Sequence, residues 1–98
     1  MAQVIWSPSA KHDLHAIYDL IAADSPKYAQ AFVERLGERF ARLAEHPMTG
    51  HVVREFSDRT LREITEGNYR IIHKVAKDHV QIVRIYHSRR MLKARDLP

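Results

Sequence analysis

Hydrophobic residues recur at helical spacing in two adjacent segments of the N-terminal half of the chain. Each segment opens with a serine followed by a proline, Ser7-Pro8 and Ser25-Pro26. The serine can cap the helix, and the proline suits the first helical position because its missing N–H costs nothing there. The pattern predicts one helix over residues 8–23 and a second from residue 26 to His46-Pro47, joined so closely that they form an antiparallel hairpin.

Short runs of β-branched and aromatic residues predict four strands. One strand precedes the helices and three follow them, over residues 3–6, 60–65, 69–76 and 80–87. Between the helices and the later strands lies a crossing loop, residues 48–59, which has little regular pattern. The element order is therefore β-αα-βββ, which predicts an α+β fold with the helical hairpin packed on a small, mostly antiparallel sheet.

The last two predicted strands are joined by Lys77-Asp78, a two-residue hairpin loop whose usual left-handed geometry Asp tolerates better than Lys. Pairing across this loop decides which side chains share a face. One face would carry Val75, Val80, His73, Ile82, Ile71, Arg84, Tyr69 and Tyr86, and the other Lys74, Gln81, Ile72, Val83, Arg70, Ile85, Asn68 and His87. Both faces are apolar at the centre, and a helical hairpin covers only one. We expect the second face to expose aliphatic surface ringed by cations, as a binding site does, unless the crossing loop or the C-terminal tail covers it.

Length and composition fit a single domain spanning residues 1–98, with 45% hydrophobic and 29% charged residues. The chain contains no cysteine, which excludes disulfides and thiolate metal sites and suits a reducing compartment. It shows no signal-peptide pattern and no apolar run long enough to cross a bilayer. We therefore expect a cytoplasmic protein without a membrane partner.

Positive charge is concentrated in the last third of the chain. Residues 1–66 carry eight Lys or Arg and ten Asp or Glu, whereas residues 67–98 carry eight Lys or Arg and two Asp or Glu. Such a segment attracts nucleic acid, a protein bound to nucleic acid, or an acidic partner. The sequence has no helix-turn-helix spacing that would favour direct binding to specific DNA sequences.

Metal and cofactor sites are not predicted. His12 and His15 stand three residues apart on the first helix, but no third ligand is set by the spacing, so solvated or capping histidines are the better interpretation. The sequence also lacks a glycine-rich phosphate loop and a Ser/His/Asp set. We expect no cofactor and no metal.

Several short motifs together resemble the RelE/ParE superfamily of type II toxins, and more specifically its ParE-like branch. Their order and spacing on the β-αα-βββ plan carry the resemblance over nearly the whole chain. The motifs are Val4-Ile5-Trp6-Ser7-Pro8-Ser9-Ala10, Asp13-Leu14, Ile17-Tyr18, Leu43, His46-Pro47, Gly50, Leu61-Arg62-Glu63, Asn68-Tyr69-Arg70-Ile71 and Val83-Arg84-Ile85-Tyr86-His87-Ser88-Arg89-Arg90.

This resemblance implies a toxin that a cognate antitoxin protein holds inactive by wrapping a flexible segment around it. The expected uncovered sheet face would suit such a segment, with Ile72, Val83 and Ile85 as the antitoxin-binding residues. Operator DNA would be bound only through the toxin–antitoxin complex.

RelE-like members cleave messenger RNA on the ribosome, and the resemblance carries over only two of their arginines, as Arg70 and Arg89. Leu61 and Glu63 stand where lysines would be expected, Arg95 stands in place of a tyrosine, and a carboxylate repels the phosphate that it should help to neutralise. His87 is a candidate general base for this alternative ribonuclease.

ParE-like members instead poison DNA gyrase by protein contact, and the departures from the RelE pattern favour this function without a catalytic site. Arg70, His87, Arg89 and Arg90 are then the expected target-binding residues. Alternatively, Arg70 and Arg84 only brace the sheet through ion pairs with Glu63 or Glu66.

Overall fold

The two helices begin where the serine–proline pairs predict. In this computed structural model, which describes residues 2–97, α1 covers Pro8–Asp24 and α2 covers Pro26–Glu45. The Ser7 hydroxyl accepts the Ala10 N–H at 3.0 Å and donates to the Val83 carbonyl at 2.7 Å, so it caps α1 and also ties it to the sheet. The Ser25 hydroxyl accepts the Tyr28 N–H at 3.3 Å. Both predicted capping roles are confirmed.

The structure has five strands, β1 (Gln3–Trp6), β2 (His51–Val52), β3 (Leu61–Glu66), β4 (Tyr69–Val75) and β5 (His79–His87). They form one sheet in the order β1-β5-β4-β3-β2. β1 runs parallel to β5, and the other neighbours are antiparallel. The predicted α+β architecture and the order β-αα-βββ are confirmed, with one short strand added between α2 and β3.

The additional strand β2 starts next to Gly50, in the crossing loop. Gly50 has a φ of 93°, and a Cβ placed on it would lie 2.2 Å from the Glu63 carbonyl oxygen of β3. Only glycine fits such a close backbone approach. Lys77 and Asp78, in contrast, do not adopt the left-handed geometry expected of a two-residue hairpin loop: within residues 2–97, positive φ angles occur only at Gly50 and Gly67.

The predicted pairing of β4 with β5 is correct near the hairpin loop and wrong beyond it. A register shift lies between Ile72 and His73, so that Ile72 pairs with Arg84 and Ile71 pairs with Ile85. The extra residue on β5 reverses the faces of all later positions on that strand. As a result, Ile85 joins the core beneath the helices and Tyr86 turns to the opposite face, the reverse of the prediction.

One hydrophobic core lies between the helices and the sheet. The helices contribute a buried stripe, and the strands contribute isoleucines from β3, β4 and β5. At the edge of this core, the rings of Trp6 and Phe40 meet edge to face with centroids 4.9 Å apart. Its buried members are Ala10, Ile17, Phe32, Leu36, Leu43, Ile64, Ile71, Ile82 and Ile85.

A second, smaller core covers the other face of the sheet. The crossing loop and the C-terminal tail (residues 88–97), which includes the 3-10 turn Ala94–Asp96, pack against β3, β4 and β5. The members of this core are Val53, Leu61, Ile72, Val83, Tyr86 and Leu92, with Phe56 and Leu97 packed against them. The expectation of an uncovered face is therefore wrong, and the alternative cover by loop and tail is what the structure shows.

Candidate functional site

Three of the predicted target-binding residues, His87, Arg89 and Arg90, lie together at the end of β5 and in the turn that follows it. The Ser88 N–H donates to the Asn68 carbonyl at 2.7 Å, and the Arg90 N–H donates to the His87 carbonyl at 2.9 Å. The Arg89 N–H donates to Nδ1 of His87 at 3.2 Å. His87, Arg89 and Arg90 are all exposed. This part of the chain therefore presents two guanidinium groups and an imidazole ring to the solvent.

Arg90 is held in place mainly by an aromatic ring. Its guanidinium lies 4.4 Å from the centroid of Tyr86, and the guanidinium of Arg84 lies over the same ring at 4.6 Å. The nearest carboxylate, that of Asp96, is 3.9 Å away, which is beyond hydrogen-bond distance. Because the Arg90 side chain is 59% exposed, its N–H groups remain accessible to a partner.

Arg70, the fourth predicted target-binding residue, lies inside the protein with 4% of its surface exposed. It donates two bonds to each of Glu55 and Glu63, including a fork on Glu55 at 2.8 and 2.9 Å. A further bond reaches the Arg90 carbonyl at 3.1 Å. An arginine has five N–H donors, and these contacts use all five. Arg70 therefore braces the sheet, as the alternative interpretation expected, and has no donor left for a target.

The charges of this cluster stabilise one another. Hydrogen bonds from Arg70 lower the pKa of Glu55 from 4.5 to about 2. The bond to Glu55, together with the contacts to Glu63, raises the pKa of Arg70 against the opposing effect of burial. Both groups therefore stay ionised at every physiological pH, and the cluster acts as a fixed ion pair.

Hydrogen bonds with Glu55 and with Arg84 hold the C-terminal tail on the sheet. The Leu92 N–H donates to a Glu55 carboxylate oxygen at 2.8 Å. Arg84 donates to the Asp96 carbonyl, and its other N–H groups donate to Asp13 of α1 at 2.7 and 3.0 Å. The bond to Asp13 raises the pKa of Arg84. Arg84 thus links the tail to α1 rather than pairing with Glu63 or Glu66.

The predicted antitoxin-binding residues are all buried in the chain alone. Ile72 and Val83 lie in the core beneath the tail, next to Leu92. Ile85 lies in the core beneath the helices. The structure therefore divides these three residues between two faces, because of the register shift in β5.

Two acidic residues that organise the site were missed in the sequence. Asp13 was named only within the motif Asp13-Leu14, without a role, yet it accepts bonds from Arg84 and, at 2.9 Å, from the Ile85 N–H. Glu55 lies in the crossing loop, 15 residues from Arg70 in sequence, and no spacing connects the two. A polar residue at a mid-helix position facing the sheet was the available signal for Asp13.

Across residues 2–97 no three histidine, aspartate or glutamate side chains come close enough together to hold a metal ion. Neither helix in the described part of the chain is long and apolar enough to cross a bilayer.

A comparison with known protein families agrees with the resemblance carried by the sequence motifs. A family model described as the ParE toxin of the type II toxin–antitoxin system parDE matches residues 4–92. The chain belongs to the ParE toxin family. It is thus a toxin of a type II toxin–antitoxin system in the RelE/ParE superfamily, which confirms the resemblance drawn from its motifs.

Relatives of this ParE-family toxin carry names from both branches of the superfamily. Toxin RelE2 of Caulobacter vibrioides is 41% identical over 92 residues, which is 93% of this chain and all of that protein. The chromosomal ParDE system of P. aeruginosa has a chain that is 26% identical with a TM-score of 0.70, covering 89% of this chain and 96% of that one. A chain of the RelBE2 toxin–antitoxin complex of Mycobacterium tuberculosis shares the fold, with 24% identity, a TM-score of 0.61 and coverage of 88% and 96%. The family and these neighbours support a cognate antitoxin as partner.

Proposed function

We propose that this toxin arrests growth by binding DNA gyrase through protein contact, without a catalytic site of its own. The observation that carries the proposal is the burial of Arg70, whose five donors are all taken by Glu55, Glu63 and the Arg90 carbonyl. Arg89 and Arg90, the two exposed arginines among the predicted target-binding residues, suit recognition of carboxylates on a protein surface.

A ribosome-dependent ribonuclease is the second candidate, and the relative named Toxin RelE2 is the observation that favours it. Cleavage of RNA without a metal requires cations that stabilise the charged phosphorane and groups that move protons. Of the residues expected for this activity, His87 and Arg89 are accessible, but Arg70 is paired with two carboxylates. A phosphate approaching Arg70 would meet Glu63, which repels it.

The proposal includes a cognate antitoxin that neutralises the toxin in the cytoplasm and binds operator DNA together with it. Contact of the antitoxin with Ile72 and Val83 remains a prediction, and it requires Leu92 and Leu97 of the tail to move aside. Ile85 would be reached only from the side of α1.

One purified preparation, tested in two assays, decides between the candidates. With gyrase and supercoiled plasmid, we expect cleaved DNA complexes; with messenger RNA on ribosomes, we expect intact RNA. Codon-positioned cuts in the RNA, without damage to the plasmid, would establish the ribonuclease instead. Activity in neither assay would reject both candidates and leave a binding role without toxicity.

A further inference from the structure

A groove between α1 and the end of β5 combines an apolar wall with a polar rim, and the family assignment does not explain it. It has a volume of about 280 Å³, which is below the range of sites for cofactors and drug-sized ligands but large enough for one or two protein side chains. Its apolar wall comes from successive turns of α1 and from the sheet, and its rim is polar. The residues that matter here are Ala16, Ile17, Leu20, Ile85, His87 and Arg90.

Leu20 makes this groove apolar at the surface. Its side chain is 67% exposed, although it lies on a helix whose other large aliphatic residues are partly or fully buried. Covering an exposed leucine beside a concave apolar surface removes apolar area from water. A partner that covers Leu20 therefore gains binding free energy. The groove therefore offers an anchor point for an aliphatic or aromatic side chain.

The rim of the groove is positive. Arg90 has accessible N–H groups, and its guanidinium is positioned over Tyr86 before any partner arrives. The one carboxylate in the lining, that of Asp13, accepts three bonds from Arg84 and from the Ile85 N–H, so its charge is already compensated. A partner that fits this charge pattern carries a carboxylate next to its apolar side chain.

The same contacts argue against a nucleic-acid base as the occupant. Binding of single-stranded RNA or DNA usually needs an accessible aromatic face for stacking. Tyr86 is buried and covered by two guanidinium groups, and Tyr69 packs edge to face against Phe32 and His87. The groove suits a protein segment better than a nucleotide.

We propose that DNA gyrase docks in this groove, with an apolar side chain of an acidic gyrase segment between α1 and β5 and a neighbouring carboxylate on Arg90. This inference rests on the gyrase function proposed above. Of the three residues expected to meet the antitoxin, Ile72 and Val83 lie on the opposite face of the sheet, and Ile85, which is 2% exposed, lines the groove. An antitoxin that binds through Ile72 and Val83 leaves the groove open to the target.

The test measures binding of the full chain to immobilised gyrase holoenzyme and, separately, to the cognate antitoxin. Leu20→Gln removes the apolar anchor, and Arg90→Glu reverses the charge at the rim. We expect each change to weaken gyrase binding about tenfold or more, as loss of a central anchor or of a charge pair does. Binding to the antitoxin should change less than about threefold, within the range of near-neutral interface changes.

Two matched controls lie outside the groove. Tyr28→Gln removes an equally exposed apolar side chain, 70% exposed near the start of α2, and Lys27→Glu alters the net charge by the same amount as Arg90→Glu. Both controls should bind gyrase within about twofold of the wild type, as surface changes away from a site do. Thermal unfolding of all four variants shows whether any loss of binding comes from misfolding.

The outcomes separate the two proposals. If the wild-type chain does not bind gyrase, the proposed function fails and the groove inference fails with it. If the wild type binds gyrase while Leu20→Gln and Arg90→Glu bind equally well, only the groove inference is overturned. It is also overturned if these two variants lose antitoxin binding and keep gyrase binding, or if they lose cleavage of ribosome-bound RNA instead.

Discussion

The two faces of the sheet are covered in different ways. On one face, α1 and α2 bury a stripe of aliphatic and aromatic side chains against β3, β4 and β5. On the other, the crossing loop and the C-terminal tail bury fewer apolar residues, and two charge clusters centred on Arg70 and Arg84 hold these segments down. The same strands thus support one cover that depends on packing and another that depends largely on ion pairs.

Because of this difference, the two covers should respond differently to pH and to substitutions. Apolar packing is insensitive to pH, whereas a carboxylate that must stay ionised loses its contribution in acid. A buried ion pair is also costly to break, because the remaining charge has no partner. We therefore expect the tail-covered face to react to single charge substitutions and to pH, and the helix-covered face to react to changes in side-chain volume.

Replacement of Arg70 should give the largest effect. Arg70→Met leaves Glu55 and Glu63 buried without their partner, and we expect it to lower the free energy of unfolding by about 3–5 kcal/mol at neutral pH. Denaturant unfolding at pH 7 measures this loss. Arg59→Met, which removes an exposed arginine of the crossing loop, should change stability by less than about 0.5 kcal/mol. A loss of that small size for Arg70→Met would show that the cluster is not what holds the tail.

Acid should weaken the tail-covered face through Glu55. Its pKa falls from 4.5 in the unfolded chain to about 2 in the folded protein, so its contribution is complete above pH 4.5 and disappears as the pH falls to about 2. A difference of this size corresponds to about 3 kcal/mol. Glu55→Gln should flatten the decline of stability over this interval in denaturant titrations. A variant that keeps the wild-type slope would contradict the assignment.

The helix-covered face was the easier one to predict from the sequence. Two serine–proline caps and a regular apolar stripe specify α1 and α2, because each signal is local and each element is long. The strands β3, β4 and β5 were also placed to within a residue or so at each end. The two-residue strand β2 was missed because it is too short for any pattern and depends on Gly50 approaching β3.

The register of β5 could not be read from its pattern. The strand contains aliphatic residues at Ile82, Val83 and Ile85, so the alternation looks acceptable with or without the extra residue. The bulge therefore left no trace in the hydrophobic pattern, and the faces were exchanged beyond it. Ile85 contacts the helices, and the loop and tail cover Ile72 and Val83. Both arrangements depend on long-range contacts that the local sequence does not reveal.

The site was predictable only in part for a similar reason. The basic turn at His87, Arg89 and Arg90 is contiguous in sequence, so its charge could be recognised directly. The role of Arg70 depends on Glu55, and that pair forms only when the crossing loop folds back over the sheet. Composition can show that a cation exists, but long-range contacts decide whether it is free.

Removal of an apolar contact should affect the tail-covered face less than the helix-covered one. Leu92→Ala takes away the main buried side chain of the tail, and we expect a loss of about 2 kcal/mol. Leu36→Ala, on α2, should cost more, since a cavity between helices and sheet collapses less completely than one beneath an extended tail. The backbone amide of residue 92 should exchange its hydrogen faster in Leu92→Ala, but not in Leu36→Ala. Equal losses for both variants would mean that the tail is packed as firmly as the helices.

The smallest change in stability should accompany the largest change in toxicity. Arg89→Ala combined with Arg90→Ala removes two exposed side chains, and Arg90 keeps its backbone contact with Arg70 in the variant. Loss of the Arg90 contact with the Tyr86 ring costs about 0.5–1 kcal/mol and the exposed Arg89 contributes little, so the free energy of unfolding should fall by no more than about 1 kcal/mol. Growth arrest should be lost if these guanidinium groups contact the target. A double variant that unfolds normally and still arrests growth would remove both residues from the site and shift attention to the apolar wall formed by Leu20.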